Sequence, residues 1–218
     1  MSIDHNVRAA LRQTAQGVSK ATLTAVTVSV VSDGYKRSSG SFITDGYGVG
    51  DELYVTGFSN AKNNGVSMIK VVTADKLTVD KEGGLAPQAA GASVTLLVGL
   101  PRIRVWDNRK EEPVVGRPFV RDTLHIAESR ATSLGPRKRI QHEGVWFLDL
   151  FVPPDIGMLA ADGLVGALRL AFSPGSELTY TGQRVMLRRF TRSNPVPSGK
   201  WTQIPLTVKF TANTINPT

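Results

Sequence analysis

Between Val18 and Val98 the chain is punctuated by turn signals at strand-length intervals: Asp33-Gly34, Asp45-Gly46, Asn64-Gly65, Asp75-Lys76 and Gly83-Gly84. Asn-Gly and Asp-Gly favour tight hairpins because those turns need positive φ, which Gly reaches without steric cost. Between the signals lie "LTAVTVSVV", "GSFIT", "DELYVTGF", "VSMIKVV", "KLTVD" and "SVTLLVG", short runs rich in β-branched residues and partly alternating. Five or six strands at this spacing predict a small all-β sandwich or barrel. Residues 18–98 hold ten of the 21 Gly but one of the twelve Pro and none of the three Trp, so their composition differs from what flanks them.

The flanks carry a different rhythm. Ile3, Val7, Ala10, Leu11, Ala15 and Val18 recur every three or four residues, which predicts a helix over 3–16 stopped by Gly17. After Pro101, "RIRVW" (102–106), "RPFVRDTLHIAES" (117–129) and "HEGVWFLDLFV" (142–152) are expected strands, the last with Trp146, Leu148, Leu150 and Val152 on one face. Pro153-Pro154-Asp155 is expected to open a helix N-capped by Asp155. Met158, Ala161, Val165, Leu168 and Phe172 then form an amphipathic stripe expected to pack as core. "QRVMLRRF" (183–190) and "WTQIPLTVKF" (201–210) are the closing strands, and Ile204, Leu206, Val208 and Phe210 share a face of the second.

The fold class expected is therefore α+β: a helix, then β-β-β-α-β-β in a mixed or antiparallel sheet, with an inserted small all-β domain. Cutting out 18–98 joins a helix and its Gly stop directly to a loop and strand, as an inserted domain with adjacent ends would allow. The boundaries read from this are 1–17 with 99–218 for the α+β core and 18–98 for the insert.

Composition narrows the function. With no Cys, disulfides, thiolate metal sites and a Cys nucleophile are excluded. The N-terminal "MSIDHNVRAALRQ" carries charge where a signal peptide needs an apolar run, and no stretch approaches the roughly 20 apolar residues of a membrane span. The expectation is a soluble, non-secreted protein with no membrane partner. "DGYGVGD" precedes a strand rather than the helix that a dinucleotide fingerprint requires, so it is read as a turn. His125 and His142, with Glu128 and Glu143 near, have the donor types of a metal site; the reading adopted is the polar residues of a hairpin. Neither a Gly-x-Ser-x-Gly elbow nor a Walker loop occurs. No catalytic, cofactor or metal site is expected.

The net charge of +8 is unevenly spread. Residues 18–98 balance seven basic against seven acidic side chains, whereas 101–142 carry ten against five. Such a surface favours an anionic partner. The candidate interface residues are Arg137, Lys138 and Arg139 on an expected hairpin tip, and Arg184, Arg188 and Arg189 on the 183–190 strand. They suit acidic patches on neighbouring subunits or DNA passing through a lumen. Aromatic residues are not interleaved with them, which argues against a module that stacks bases. The 183–190 strand is also expected to present an edge for pairing with a neighbour.

Taken in order, several motifs resemble one family. They are Trp106 with Asn108, Pro118 to Arg121, Arg130 to Gly135 ("RATSLG"), Arg139 with His142 and Gly144, Phe151 to Pro153, Ala171 to Gly175, and Gly199, Trp201, Pro205 and Phe210. This set, covering residues 1–17 and 100–212, resembles the tail-terminator-like proteins of long-tailed bacteriophages. The resemblance implies a homo-oligomeric, hexameric ring on the end of the tail tube, with the tube protein and the head-tail connector or neck protein as partners. It also implies DNA passing without sequence preference through the lumen, and residence in the virion after assembly in the bacterial cytoplasm. Another virion structural part, such as a tube subunit, head-completion or neck protein, is the second expectation. Separately, "DGYGVGDELYVTGFSNAKNNGVSMIKVVTADKLTV" resembles a β segment found in phage tail tube and decoration proteins, with Ser67 and Met68 departing from its pattern.

Overall fold

The computed structural model describes residues 2–25, 27–91, 93–101, 103–105, 112–133, 139–154 and 157–215. Helix α1 (Ile3–Gln16) opens the chain, with Ser2 Oγ accepting from His5 N at 3.3 Å and Gly17 as its C-cap. Its Val7, Ala10, Leu11 and Ala15 are buried, as the three-and-four spacing requires.

The chain then divides into two compact units: one of residues 19–102 with 153–167, the other of 1–18, 103–152 and 168–218. The first contains β1 (Ser19–Ala25), β2 (Val28–Val31), β3 (Gly34–Arg37), β4 (Glu52–Thr56), β5 (Gly65–Val72), β6 (Lys76–Asp80) and β7 (Val94–Gly99). They form one antiparallel sheet in the order β1-β7-β4-β5-β6-β3-β2. Its two edge strands, β1 and β2, are consecutive in the chain. A link of two residues spans about 10 Å at most, so the sheet must roll until its edges approach. Val28, Val30, Tyr35, Leu53, Ile69, Leu77 and Leu96 fill the interior of that roll.

The rolled sheet explains two departures from the expected strands. "LTAVTVSVV" is split between β1 and β2 because the chain crosses there from one edge to the other. "GSFIT" lies in turns, and its apolar signal comes from Phe42, buried against Tyr47 and beneath the Arg37 guanidinium. The strand over "GYKR" (β3), half of it charged, carries no such signal.

The opening asparagines of "NAKNNG" each have a local task. Asn60 Oδ1 caps the short 3-10 turn Ala61–Asn63 by accepting from Lys62 N at 3.1 Å. Asn63 is fully buried; its Nδ2 donates to Gln88 Oε1 at 3.1 Å and its Oδ1 accepts from Ala86 N at 2.9 Å. Asn64 bonds Phe58 through both ends, accepting from its N at 2.9 Å and donating to its O at 2.7 Å. The segment is a self-bonded loop between paired strands.

The second unit contains β8 (Ile103–Val105), β9 (Phe119–Ala131), β10 (Arg139–Val152), helix α2 (Leu159–Ala171, whose residues 159–167 group with the first unit), β11 (Glu177–Tyr180), β12 (Gln183–Arg192), β13 (Val196–Ser198) and β14 (Trp201–Ile215). The sheet runs β11-β12-β14-β10-β9-β8, with β13 also on β14; β8 and β9 are parallel and the other pairs antiparallel. The architecture is mixed α+β, with two helices and predominantly antiparallel sheets among the described residues. Two strands beyond the expected β-β-β-α-β-β order appear, β11 and β13. Asp155, the expected N-cap, lies outside the described residues, and the helix begins at Leu159.

One face of this second sheet is the core. Trp146, Leu148 and Leu150 on β10 register with Val208, Leu206 and Ile204 on β14, and all are at most 1% exposed. Phe172 packs on Trp146 with ring centroids 5.5 Å apart. Arg12 of α1 reaches Asp122 on β9, which fastens the N-terminal helix to the same face.

Candidate interaction face

Because strand side chains alternate, burying the even-numbered residues of β10 and β14 leaves their odd-numbered residues on the opposite face. That outer face carries Arg139, Gln141, Glu143, Val145 and Phe147 from β10, and Thr207, Lys209, Thr211 and Asn213 from β14. Arg184, Met186 and Arg189 of β12 lie beside Asn213, Thr211 and Lys209.

Of the six expected interface residues, Arg137 and Lys138 lie outside the described residues. The other four, Arg139, Arg184, Arg188 and Arg189, belong to one face. Arg139 and Arg184 line a shallow hollow of about 320 Å³ together with Glu177, Met186, Thr211 and Asn213. Arg184 Nε lies 3.6 Å from Glu177 Oε1 across β11 and β12, an exposed ion pair. Arg130 is paired with Glu143 at 3.2 Å. Among the described residues Arg139, Arg188, Arg189 and Lys209 have no carboxylate within ion-pair distance, so this face carries four uncompensated cations on β10, β12 and β14.

Adjacent residues in a regular strand point to opposite faces, so Arg188 and Arg189 could not both serve this surface in an ideal β12. A bulge resolves this. Leu187 registers with Phe210 and Arg189 with Lys209, leaving Arg188 as the extra residue. Its Nε donates to Thr211 Oγ1 at 3.0 Å, which draws it to the outer side beside Arg189. The Arg188-Arg189 pair is visible in sequence, whereas Lys209 gives only the signal of an isolated charge within an alternating strand.

The expected free edge at 183–190 needs correction. Residues Gln183–Met186 are covered by β11 on one side and β14 on the other. Beyond them, among the described residues, β12 pairs with β14 alone, so its open flank is confined to its second half. The hidden strand is β11, joined to β12 by Thr181 and Gly182, both at positive φ (44° and 81°). Two consecutive positive φ values make a type I′ hairpin, here built from Thr-Gly rather than the usual Asn-Gly.

His125 and His142 do not converge. His125 registers with Val145 on the outer face, while His142 is buried on the core side. The two ring nitrogens of His142 meet Ser129 Oγ at 2.7 Å and Thr214 Oγ1 at 2.9 Å. Burial holds its pKa below the usual imidazole value, and the Asp4 carboxylate opposes that shift. In the first unit, Lys20 and Asp51, 31 residues apart with no local spacing to link them, form a buried ion pair at 2.6 Å. Lys20 is the extra residue of a bulge in β1, which turns its side chain inward. Burial raises the Asp51 pKa, against the lowering influence of Lys20 and of the Gly48 N–H.

Comparison with known proteins gives one family match: the model of the phage tail terminator protein family matches residues 87–210. The match begins before β7 and runs through most of β14. No curated protein is similar at a significant level. A solved structure whose name describes no function is 20% identical, covering 55% of this chain and 83% of its own, with a TM-score of 0.42.

Proposed function

Starting from a chain that belongs to the phage tail terminator family, a family of structural tail proteins, we propose that this protein caps the tail tube as an oligomeric ring, ends tube polymerisation and presents the surface to which the head connector joins. The observation carrying this reading is the family match over residues 87–210. A head-to-tail contact whose rotation closes gives a finite ring, here taken as hexameric. Such a ring stops growth simply by covering the tube end with a surface that offers no further tube-like contact. No bond is made or broken, and no cofactor takes part.

In this reading the protein is part of the virion tail, assembled in the host cytoplasm, and the β1–β7 unit is an insertion in the terminator core. The outer basic face supplies contacts to the tube, to adjacent subunits or to DNA in the lumen. A phage lacking the protein should make tails of uncontrolled length that fail to join heads, and purified protein added to the lysate should restore joining. Normal-length tails attached to heads in its absence would sink the reading.

A further inference from the structure

We propose that the bulge in β12 builds a contact site for the phosphate backbone of double-stranded DNA, formed by Arg188, Arg189 and Lys209 and indifferent to base sequence. Three observations converge on it. The bulge places two consecutive arginines on one side of a strand, beside Lys209 on the neighbouring strand. All three side chains are exposed, and none has a carboxylate partner among the described residues. Arg188 is oriented by its bond to the buried Thr211, which leaves the rest of its guanidinium fork free for an incoming oxygen.

The surroundings select the class of anion. A stable protein-protein interface usually centres on desolvated apolar and aromatic side chains. The neighbours here are Thr207, Thr211, Asn213 and Gln141, which hydrogen-bond well, with Val145 opposite Lys209 and Met186 opposite Thr211 as half-buried apolar groups; Phe147, 42% exposed, and Val196, paired with Gln203 farther along β14, are the large exposed apolar groups described on this face. The nearest acids on this face, Glu143 and Glu177, are paired with Arg130 and Arg184, and the unpaired cations among hydrogen-bonding groups suit phosphates, whose binding is driven by release of counterions. Among the described residues no exposed aromatic side chain is stacked beside these cations for single-stranded bases and no helix is presented for a groove, so sequence preference is not expected.

This site belongs to the outer face invoked above, but its test uses purified full-length protein and so can fail independently of tail length. A labelled 20-bp duplex is titrated by fluorescence anisotropy from 50 to 200 mM salt. Three phosphate contacts predict a slope near −2.7 in log affinity against log salt, roughly a 40-fold loss over that range. The variant Arg188→Ala/Arg189→Ala/Lys209→Ala should remove about that slope while its thermal melt stays close to wild type. A matching glutamine triple guards against a local packing effect. The control Lys36→Ala/Lys70→Ala/Lys76→Ala removes the same charge from the β1–β7 unit and should leave the slope unchanged. Equal loss in the control, or no loss in the alanine and glutamine triples, overturns the proposal. So does displacement of the duplex by polyglutamate at equal charge concentration, which would identify the site as one for an acidic protein surface.

Discussion

Arg12 donates from Nε and Nη2 to the two carboxylate oxygens of Asp122 at 2.8 and 2.7 Å, and Trp146 Nε1 donates to the same carboxylate at 2.9 Å. The Asp122 side chain is wholly buried, while that of Arg12 keeps 20% of its exposure. One carboxylate thus joins α1, β9 and β10. A buried charge with three good donors is held firmly, but loss of either partner leaves the other uncompensated.

Asp122→Ala should therefore cost about 3 kcal/mol or more, because it removes the buried carboxylate that accepts from both the Arg12 guanidinium and the Trp146 indole N–H. Arg12→Ala should cost less, since Asp122 retains the Trp146 donor. Urea denaturation of the two single variants and the double variant would give the coupling. If the double variant were as destabilised as the sum of the singles, the pair would not act as a clamp.

What could be read in advance follows the physics of pattern. The stripes over Ile3 to Val18 and Trp146 to Val152 were legible because burial on one face imposes a period that no other feature imitates. The rolled sheet was less legible: β3 carries Lys36 and Arg37, and Phe42 is buried from a turn, so apolar content and strand placement part company there. β11 was hidden because Thr181 occupies a positive-φ position usually marked by Asn, Asp or Gly. The Arg12–Asp122 bond joins residues 110 positions apart, and no local spacing encodes it. Arg188 and Arg189 were recognisable as a charge pair, but only the bulge decides that both serve one face.

His142 supplies a pH dependence. Its folded-state pKa lies below the unfolded value of about 6.5 because burial disfavours the imidazolium. Protonation is therefore taken up more readily by the unfolded chain. The stability contributed by neutral His142 is complete above pH 6.5 and declines as pH falls through the lower folded value. The three Trp all lie outside residues 19–102, so their fluorescence follows the α1, β8–β14 unit. The urea midpoint by that signal should fall between pH 7.5 and 5.5 in wild type and fall less in His142→Gln. An equal fall in both would assign the effect to other groups.

The division into two units makes a prediction about excision. The strands β8–β14, the Arg12–Asp122 bond and the Trp146 core all lie outside residues 18–98. Replacing 18–98 with a short Gly-Ser linker should leave that sheet folded, with dispersed amide signals from β9, β10, β12 and β14. The cost should fall on residues 153–167, which group with the β1–β7 unit. In that unit a Cβ built on Gly163 would stand 2.6 Å from Lys20 Cε, and one on Gly48 would stand 3.8 Å from Ala160 Cα. The first half of α2 therefore packs over the buried Lys20–Asp51 pair, and excision removes its support there. Amides of 159–167 should lose protection from hydrogen exchange while those of β10 and β14 keep theirs. Collapse of amide dispersion throughout the excised chain would mean that the two units share one cooperative core, and the reading of residues 18–98 as an insertion would fall with it.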